Sequence, residues 1–157
     1  MPASIDVLRI AVEEQRRVAD KLETNFHQIK TRTLTYLGGG LAVLTFLYSR
    51  DRGLFIPDEI YGKIFYFLAV GMVVVSISLL LSNLRPAPWE IPTENRELTR
   101  LSEVDEQKYL EYVKERYISC YTNNISTYII KQRTLNTSFF PLIFGSIILV
   151  VLNLFGG

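Results

Sequence analysis

The sequence predicts an all-α membrane protein: three transmembrane helices with two long cytoplasmic helices, assembled as a homo-oligomeric helical bundle. Three observations predict it. The 17 Lys plus Arg and 16 Asp plus Glu residues leave three long stretches uncharged. The basic residues fall unevenly between the segments joining those stretches. The two longest polar segments carry apolar residues at helical spacing with no internal breaker.

Residues 1–32 form the first element. Ile5, Leu8, Val12, Gln15, Ala19, Leu22, Phe26, Ile29 and Thr33 recur in steps of three and four, and seven of the nine are apolar. This is a heptad stripe of the coiled-coil or bundle type. Glu13, Glu14, Arg16, Arg17, Asp20, Lys21 and Glu23 lie between. A membrane-surface helix would carry an excess of Lys and Arg on its polar face. Here acids and bases nearly balance, which favours protein–protein packing. No breaker lies between Ser4 and Gly38. One helix is therefore expected to run from the cytoplasm into the first span. Over residues 5–49 it would reach about 68 Å, well beyond a bilayer core of about 30 Å.

The uncharged runs are Thr33 to Ser49 (17 residues), Ile64 to Leu84 (21) and Thr134 to Gly157 (24). A spanning helix needs about 20 mostly apolar residues, with a range of about 17–25. The spans are therefore placed at 33–49, 64–84 and 134–157, the first being the shortest and glycine-rich. About thirty mostly charged and polar residues precede the first run, unlike the short basic leader of a cleavable signal. Six basic residues precede the first span, three lie in the short loop 50–63, and eight lie in the long segment 85–133. The positive-inside rule then puts the N-terminus and residues 85–133 in the cytoplasm, and the short loop and C-terminus outside. Trp89, Tyr36, Tyr48, Tyr61 and Tyr66 lie near span ends, where aromatic rings favour the headgroup region. Pro86, Pro88 and Pro92 end the second span in a stiff corner.

Within 85–133, Ser102 with Asp105 matches a capping signature, with Glu103 and Glu106 in the first turn. Leu110, Val113, Tyr117, Cys120 or Tyr121, Asn124 or Ile125, and Tyr128 then recur at helical spacing. No Pro or Gly intervenes before Pro141, so this helix is expected to lead directly into the third span, with a kink at Pro141. The Asn123–Asn124 pair either sets register, as buried Asn does in coiled coils, or is solvated. Two long helices per chain are too narrow a scaffold to bury both stripes completely, which predicts a homo-oligomer of roughly four or more copies.

Little in the sequence points to catalysis. A net charge of +1 gives no strong pull toward nucleic acid. One Cys and one His exclude an intramolecular disulfide, a multi-Cys metal site and a His-pair zinc motif. His27 lies beside the apolar stripe and reads as a surface or interface residue; Cys120 reads as a buried structural thiol. Gly38-Gly39-Gly40 lacks the Lys-Ser/Thr of a phosphate loop. No span holds an acid or base, so a proton or ion relay is not expected. The expectation is a non-enzyme with no cofactor and no metal.

Two groups of residues are candidate sites. Thr35, Gly38, Ala42, Thr45 and Ser49 form a small, mildly polar face on the first span. Small residues permit close helix packing, and a face of this kind also suits the lining of a narrow pore. Weaker small faces lie at Gly71, Ser78 and Ser82, and at Ser146 and Asn153. Lys30, Arg32, Arg116, Lys131 and Arg133, near the membrane, are candidate ligand contacts; the plainer reading makes them positive-inside anchors.

The layout resembles a known group through three short stretches. They are Lys30-Thr31 leading into Leu34 to Gly40, the Asn83-Leu84-Arg85-Pro86 exit, and Tyr121 with Asn124 ahead of Lys131 and the last span. With them the chain resembles the small multi-span helical effectors of bacterial antiphage defence, the Pycsar-type transmembrane effectors and SLATT-domain proteins. SLATT proteins typically have two spans, against three here, and no separate nucleotide-sensing domain is recognised in the chain. The resemblance implies an ion-conducting or membrane-disrupting oligomer in a bacterial inner membrane, held shut until infection. It implies as trigger a nucleotide, an oligonucleotide such as the DNA that gates Hailong-type channels, or a partner protein. The competing reading is a non-conducting membrane scaffold or regulatory subunit that docks a larger partner through its cytoplasmic helices.

Overall fold

A computed structural model describes residues 4–49, 59–91 and 105–155. Among these residues the fold is all-helical, with three helices: α1 (Ile5–Ser49), α2 (Ile60–Leu84) and α3 (Glu106–Phe155). Two of them, α2 and α3, are long and apolar enough to cross a membrane. α1 runs unbroken from the polar stripe through the glycine triplet, as expected, but does not reach the same apolar level. Its glycines, threonines and Tyr36 dilute Leu, Val and Phe.

Helix boundaries refine the expected ones. α2 starts at Ile60, so Lys63 of the expected outer loop belongs to its first turn, where its N–H donates to the Glu59 carbonyl at 3.0 Å. Residues 50–58 of that loop lie outside the described residues. α3 begins after Asp105, whose carboxylate accepts from the backbone N–H groups of Gln107 (3.1 Å) and Lys108 (3.3 Å). Asp105 is thus the N-cap of α3; Ser102, the other half of the expected capping signature, lies outside the described residues. Those bonds to the charged carboxylate, with the nearby Lys108 ammonium, hold the Asp105 pKa below its ordinary value. Pro141 lies inside α3, which continues past it to Phe155.

The chain divides into two compact units. One comprises Met1–His27 and Ala87–Ile130, the other Gln28–Pro86 and Lys131–Gly157.

In the first unit the α1 stripe is the inward face. Leu8 and Leu22 are buried, and Val12, Gln15, Ala19 and Phe26 are half-buried. On α3, Leu110, Cys120 and Asn124 are buried, with Val113, Tyr117 and Tyr128 half-buried. Arg9 donates to Glu106 from the first turns of the two helices, so they run parallel. This exposed pair adds little stability. One chain closes each seam in part, as expected: Leu8, Leu22, Leu110, Cys120 and Asn124 are buried, Ile5 is exposed, and the remaining seam positions of this unit are half-buried.

The non-helical segment 87–91 belongs to the same unit. Trp89 stacks on Phe26 with ring centroids 4.3 Å apart. Asn124 accepts from the Glu90 N–H at 2.9 Å and donates to the Glu90 carbonyl at 2.7 Å. Asn123 donates to the Glu90 carboxylate at 3.0 Å. The asparagine pair thus pins a non-helical stretch of chain, which neither sequence reading anticipated.

In the second unit, buried residues on α2 follow strict three-four spacing: Tyr66, Ala69, Val73, Ser76, Leu80 and Asn83. α3 does the same with Leu135, Ser138, Leu142, Gly145 and Leu149. On each helix a row of large residues alternates with a row of small or polar ones, the layering of left-handed helix pairs. The approach is closest at Gly145, where a Cβ would lie 2.9 Å from both the Ala69 carbonyl oxygen and Val73 Cγ2. α1 joins through Ile29, Thr33, Leu37 and Gly40, all buried, and Tyr36 stacks on Phe139 at 4.9 Å. The contacts make α1 and α3 parallel here and α2 antiparallel to both.

Most of the apolar surface of this unit is uncovered. Only 28% of the best spanning window is buried in α2, and 28% in α3. A core helix of a soluble protein would be mostly buried. Phe65, Phe67, Leu68, Val74, Val75 and Leu81 of α2 point outward, as do Phe140, Phe144 and Ile147 of α3. Exposed apolar surface on this scale marks contact with lipid or with other protein.

Candidate functional site

The small-residue face of α1 lies on the side of the helix that the other described residues leave open. Thr35, Gly38, Ala42 and Thr45 are all exposed, whereas Thr33, Leu37 and Gly40 take the packed side. The Ser49 side chain lies outside the described residues. The glycine triplet divides accordingly. A Cβ on Gly38 or Gly39 would meet nothing within 4 Å, and one on Gly40 would lie 3.0 Å from Leu142 Cδ1. Among the described residues, this face is therefore not closely packed.

The hydroxyls on the open face are satisfied locally. Thr35 donates to the Thr31 carbonyl at 3.1 Å and Thr45 to the Leu41 carbonyl at 2.9 Å. Each hydroxyl oxygen still has acceptor capacity for a passing water or ion. Beside this face an apolar groove of about 330 Å³ opens between α1 and α3. Thr35, Gly39 and Gly40 form one wall, and Phe139, Leu142 and Ser146 the other.

The weaker small faces resolve differently. Gly71, Ser78 and Ser82 are exposed, and the packing face of α2 is Ala69, Ser76 and Asn83 instead. Ser146 and Asn153 are half-buried.

The candidate ligand cations are divided between the two units. Arg116 belongs to the first unit and Lys30, Arg32, Lys131 and Arg133 to the second. Lys30, Arg32, Arg116 and Arg133 are exposed. Lys131 is engaged: its ammonium donates to the backbone carbonyls of Asn83 and, at 2.9 Å, Arg85. Those carbonyls close the last turn of α2, where no intrahelical donor remains. Burial pushes the Lys131 pKa down from its ordinary value.

Next to this clamp lies a polar contact that the sequence reading missed. Asn83, 8% exposed, donates to Thr33 Oγ at 3.1 Å, and Thr33 donates to the Ile29 carbonyl at 2.8 Å. Among the described residues, the buried Asn83 side-chain oxygen has no hydrogen-bond partner. The signal was available, since Thr33 is the polar end of the first stripe and Asn83 the only amide in the second run. Nothing in the spacing pairs residues fifty apart.

Among the described residues no group of His, Cys, Asp and Glu is placed to hold a metal ion. Compared with known proteins, the chain matches no family model, no curated protein and no solved structure.

Proposed function

We propose that the protein is a gated homo-oligomeric membrane channel or pore-forming effector, with residues 33–49 of α1 as a third span. The observation that carries this reading is the uncovered face of Thr35, Gly38, Ala42 and Thr45, on a helix whose opposite side packs against two apolar helices. In a bilayer, copies arranged around an axis would bring this face together, where small side chains leave room and threonine oxygens offer polar contacts. The alternating helix directions in the second unit fit three successive crossings. The basic bias of residues 1–32 and 85–133 supports a cytoplasmic N-terminus and an outward C-terminus. The setting we propose is the inner membrane of a bacterium in antiphage defence, where opening would depolarise the cell and abort infection. It rests on the resemblance in layout alone. The trigger would be a cytoplasmic ligand or partner.

One observation favours a non-conducting scaffold instead. Thr35 and Thr45 satisfy their own hydroxyl protons, so the face can also pack tightly against another copy and leave no channel.

The test is native mass spectrometry of the detergent-purified protein, followed by ion flux in proteoliposomes. A closed ring of roughly four or more copies, with flux altered by Ala42→Leu or Gly39→Leu, is the expected result. Unchanged flux with intact assembly would remove α1 from the pore. A monomer, or a ring without flux under any condition, would move the assignment to the scaffold.

A further inference from the structure

The first unit contains a cavity of about 140 Å³ between α1, α3 and the 87–91 segment. It is close in size to a cavity of about 150 Å³ that holds benzene. Its walls have a definite chemistry. Trp89, Tyr117 and Tyr121 contribute aromatic surface. Arg16 stands against three carboxylates, those of Asp20, Glu23 and Glu90, a net charge of −2. Cys120, 1% exposed, is the thiol in the lining, and burial first of all raises its pKa, so it adds no charge at neutral pH.

The carboxylates are not equally occupied. Glu90 accepts from Asn123, and His27 approaches Glu23 at 3.7 Å. Asp20 forms no ion pair among the described residues. The rim therefore keeps negative charge that its own cation, Arg16, does not balance. Aromatic faces attract cations through the ring quadrupole, most strongly where water is excluded. Carboxylates beside them add attraction and hydrogen-bond acceptors.

We propose that this cavity binds the charged end of a small organic cation, a primary amine or guanidinium compound. Trp89, Tyr117 and Tyr121 would supply the cation–π surface, and Asp20 and Glu90 the counter-charge. An anionic nucleotide would meet net negative charge in the same place. The proposal concerns binding alone and stands whether or not the protein conducts.

Trp89 is the one tryptophan in the chain, so its emission reports on this wall directly. The full-length protein in detergent would be titrated with agmatine, with cyclic AMP and sodium chloride at matched ionic strength as controls. A saturable change with agmatine alone is expected. Glu90→Gln with Asp20→Asn should weaken it about ten-fold, a loss of about 1.4 kcal/mol. The backbone clamp on Glu90 does not use its carboxylate, so the fold should survive. Arg16→Gln gives the opposite sign, because removing the competing cation should tighten binding. Weaker agmatine binding in Arg16→Gln, a saturable response to cyclic AMP, or an agmatine response no larger than that of salt would each overturn the proposal.

Discussion

Asn124, on α3, holds the backbone of Glu90 at both its N–H and its carbonyl, 34 positions earlier in the chain. One buried amide supplies what a neighbouring β-strand would supply to an extended segment. It keeps Trp89 stacked on Phe26 and gives the 87–91 segment a fixed course. Asn124→Ala removes the acceptor and the donor together and leaves two part-buried backbone groups unpaired. The expected cost is about 1–3 kcal/mol, read as a lower midpoint in thermal unfolding followed by Trp89 emission. Asn124→Asp keeps the bond from the N–H but sets a carboxylate oxygen against the Glu90 carbonyl, and should cost at least as much. A midpoint unchanged in both variants would show that water replaces the clamp.

Glycine substitutions should separate into two groups. A Cβ at Gly145 would overlap the Ala69 carbonyl and Val73 Cγ2, so even Gly145→Ala must force α2 and α3 apart. Overpacking of this kind costs about 1–3 kcal/mol. Gly38, Gly39 and Gly71 open onto free space, and replacing a helical glycine by alanine gains up to about 1 kcal/mol. Gly40→Ala meets only the flexible end of Leu142 and should fall between. Unfolding of the five variants in the same detergent checks the order. If Gly38→Ala and Gly39→Ala were as damaging as Gly145→Ala, their face would have to be packed against another copy.

The helices were legible because charge and its absence are one-dimensional signals. The run 64–84 and residues 134–155 of the last run became the apolar lengths of α2 and α3, and the α1 stripe from Leu8 to Thr33 became an inward face. The packing face of α2 was not legible. That helix is apolar nearly all round, so Ala69, Ser76 and Asn83 carry no more periodic contrast than Gly71, Ser78 and Ser82. The Asn124–Glu90 clamp was hidden for another reason: its partner atoms are main-chain, and any residue presents the same ones. The threonine and glycine face, uncovered among the described residues, was legible as a face because small residues recur there in steps of three and four.

Cys120 offers a chemical readout of the first unit. It is the only cysteine, 1% exposed, and burial first of all raises its pKa. Because the folded value lies above the unfolded one, the stability from burying the neutral thiol is full below the unfolded pKa. It is lost as pH rises through the folded value. Stability should therefore fall above about pH 8.5, and Cys120→Ala should flatten that fall. Alkylation by N-ethylmaleimide should be slow in the folded protein and fast once the unit opens. Rapid alkylation at neutral pH without unfolding would mean that this side of α3 is open to solvent.

Lys131 distinguishes an anchor from a ligand contact. Its ammonium closes the last turn of α2 by bonding the Asn83 and Arg85 carbonyls, at the negative end of that helix. Lys131→Met leaves both carbonyls without their charged donor, and hydrogen bonds to charged groups contribute about 1.5–3 kcal/mol. The second unit should lose stability by that order, and Lys131→Arg should recover part of it. Arg133→Met, two residues on and exposed, should leave stability unchanged. Unfolding in detergent measures all three. A Lys131→Met protein as stable as the parent, yet altered in its response to an activating ligand, would return Lys131 to the ligand-contact role. Loss of stability in Lys131→Met but not in Arg133→Met identifies it as the residue that locks α2 to α3.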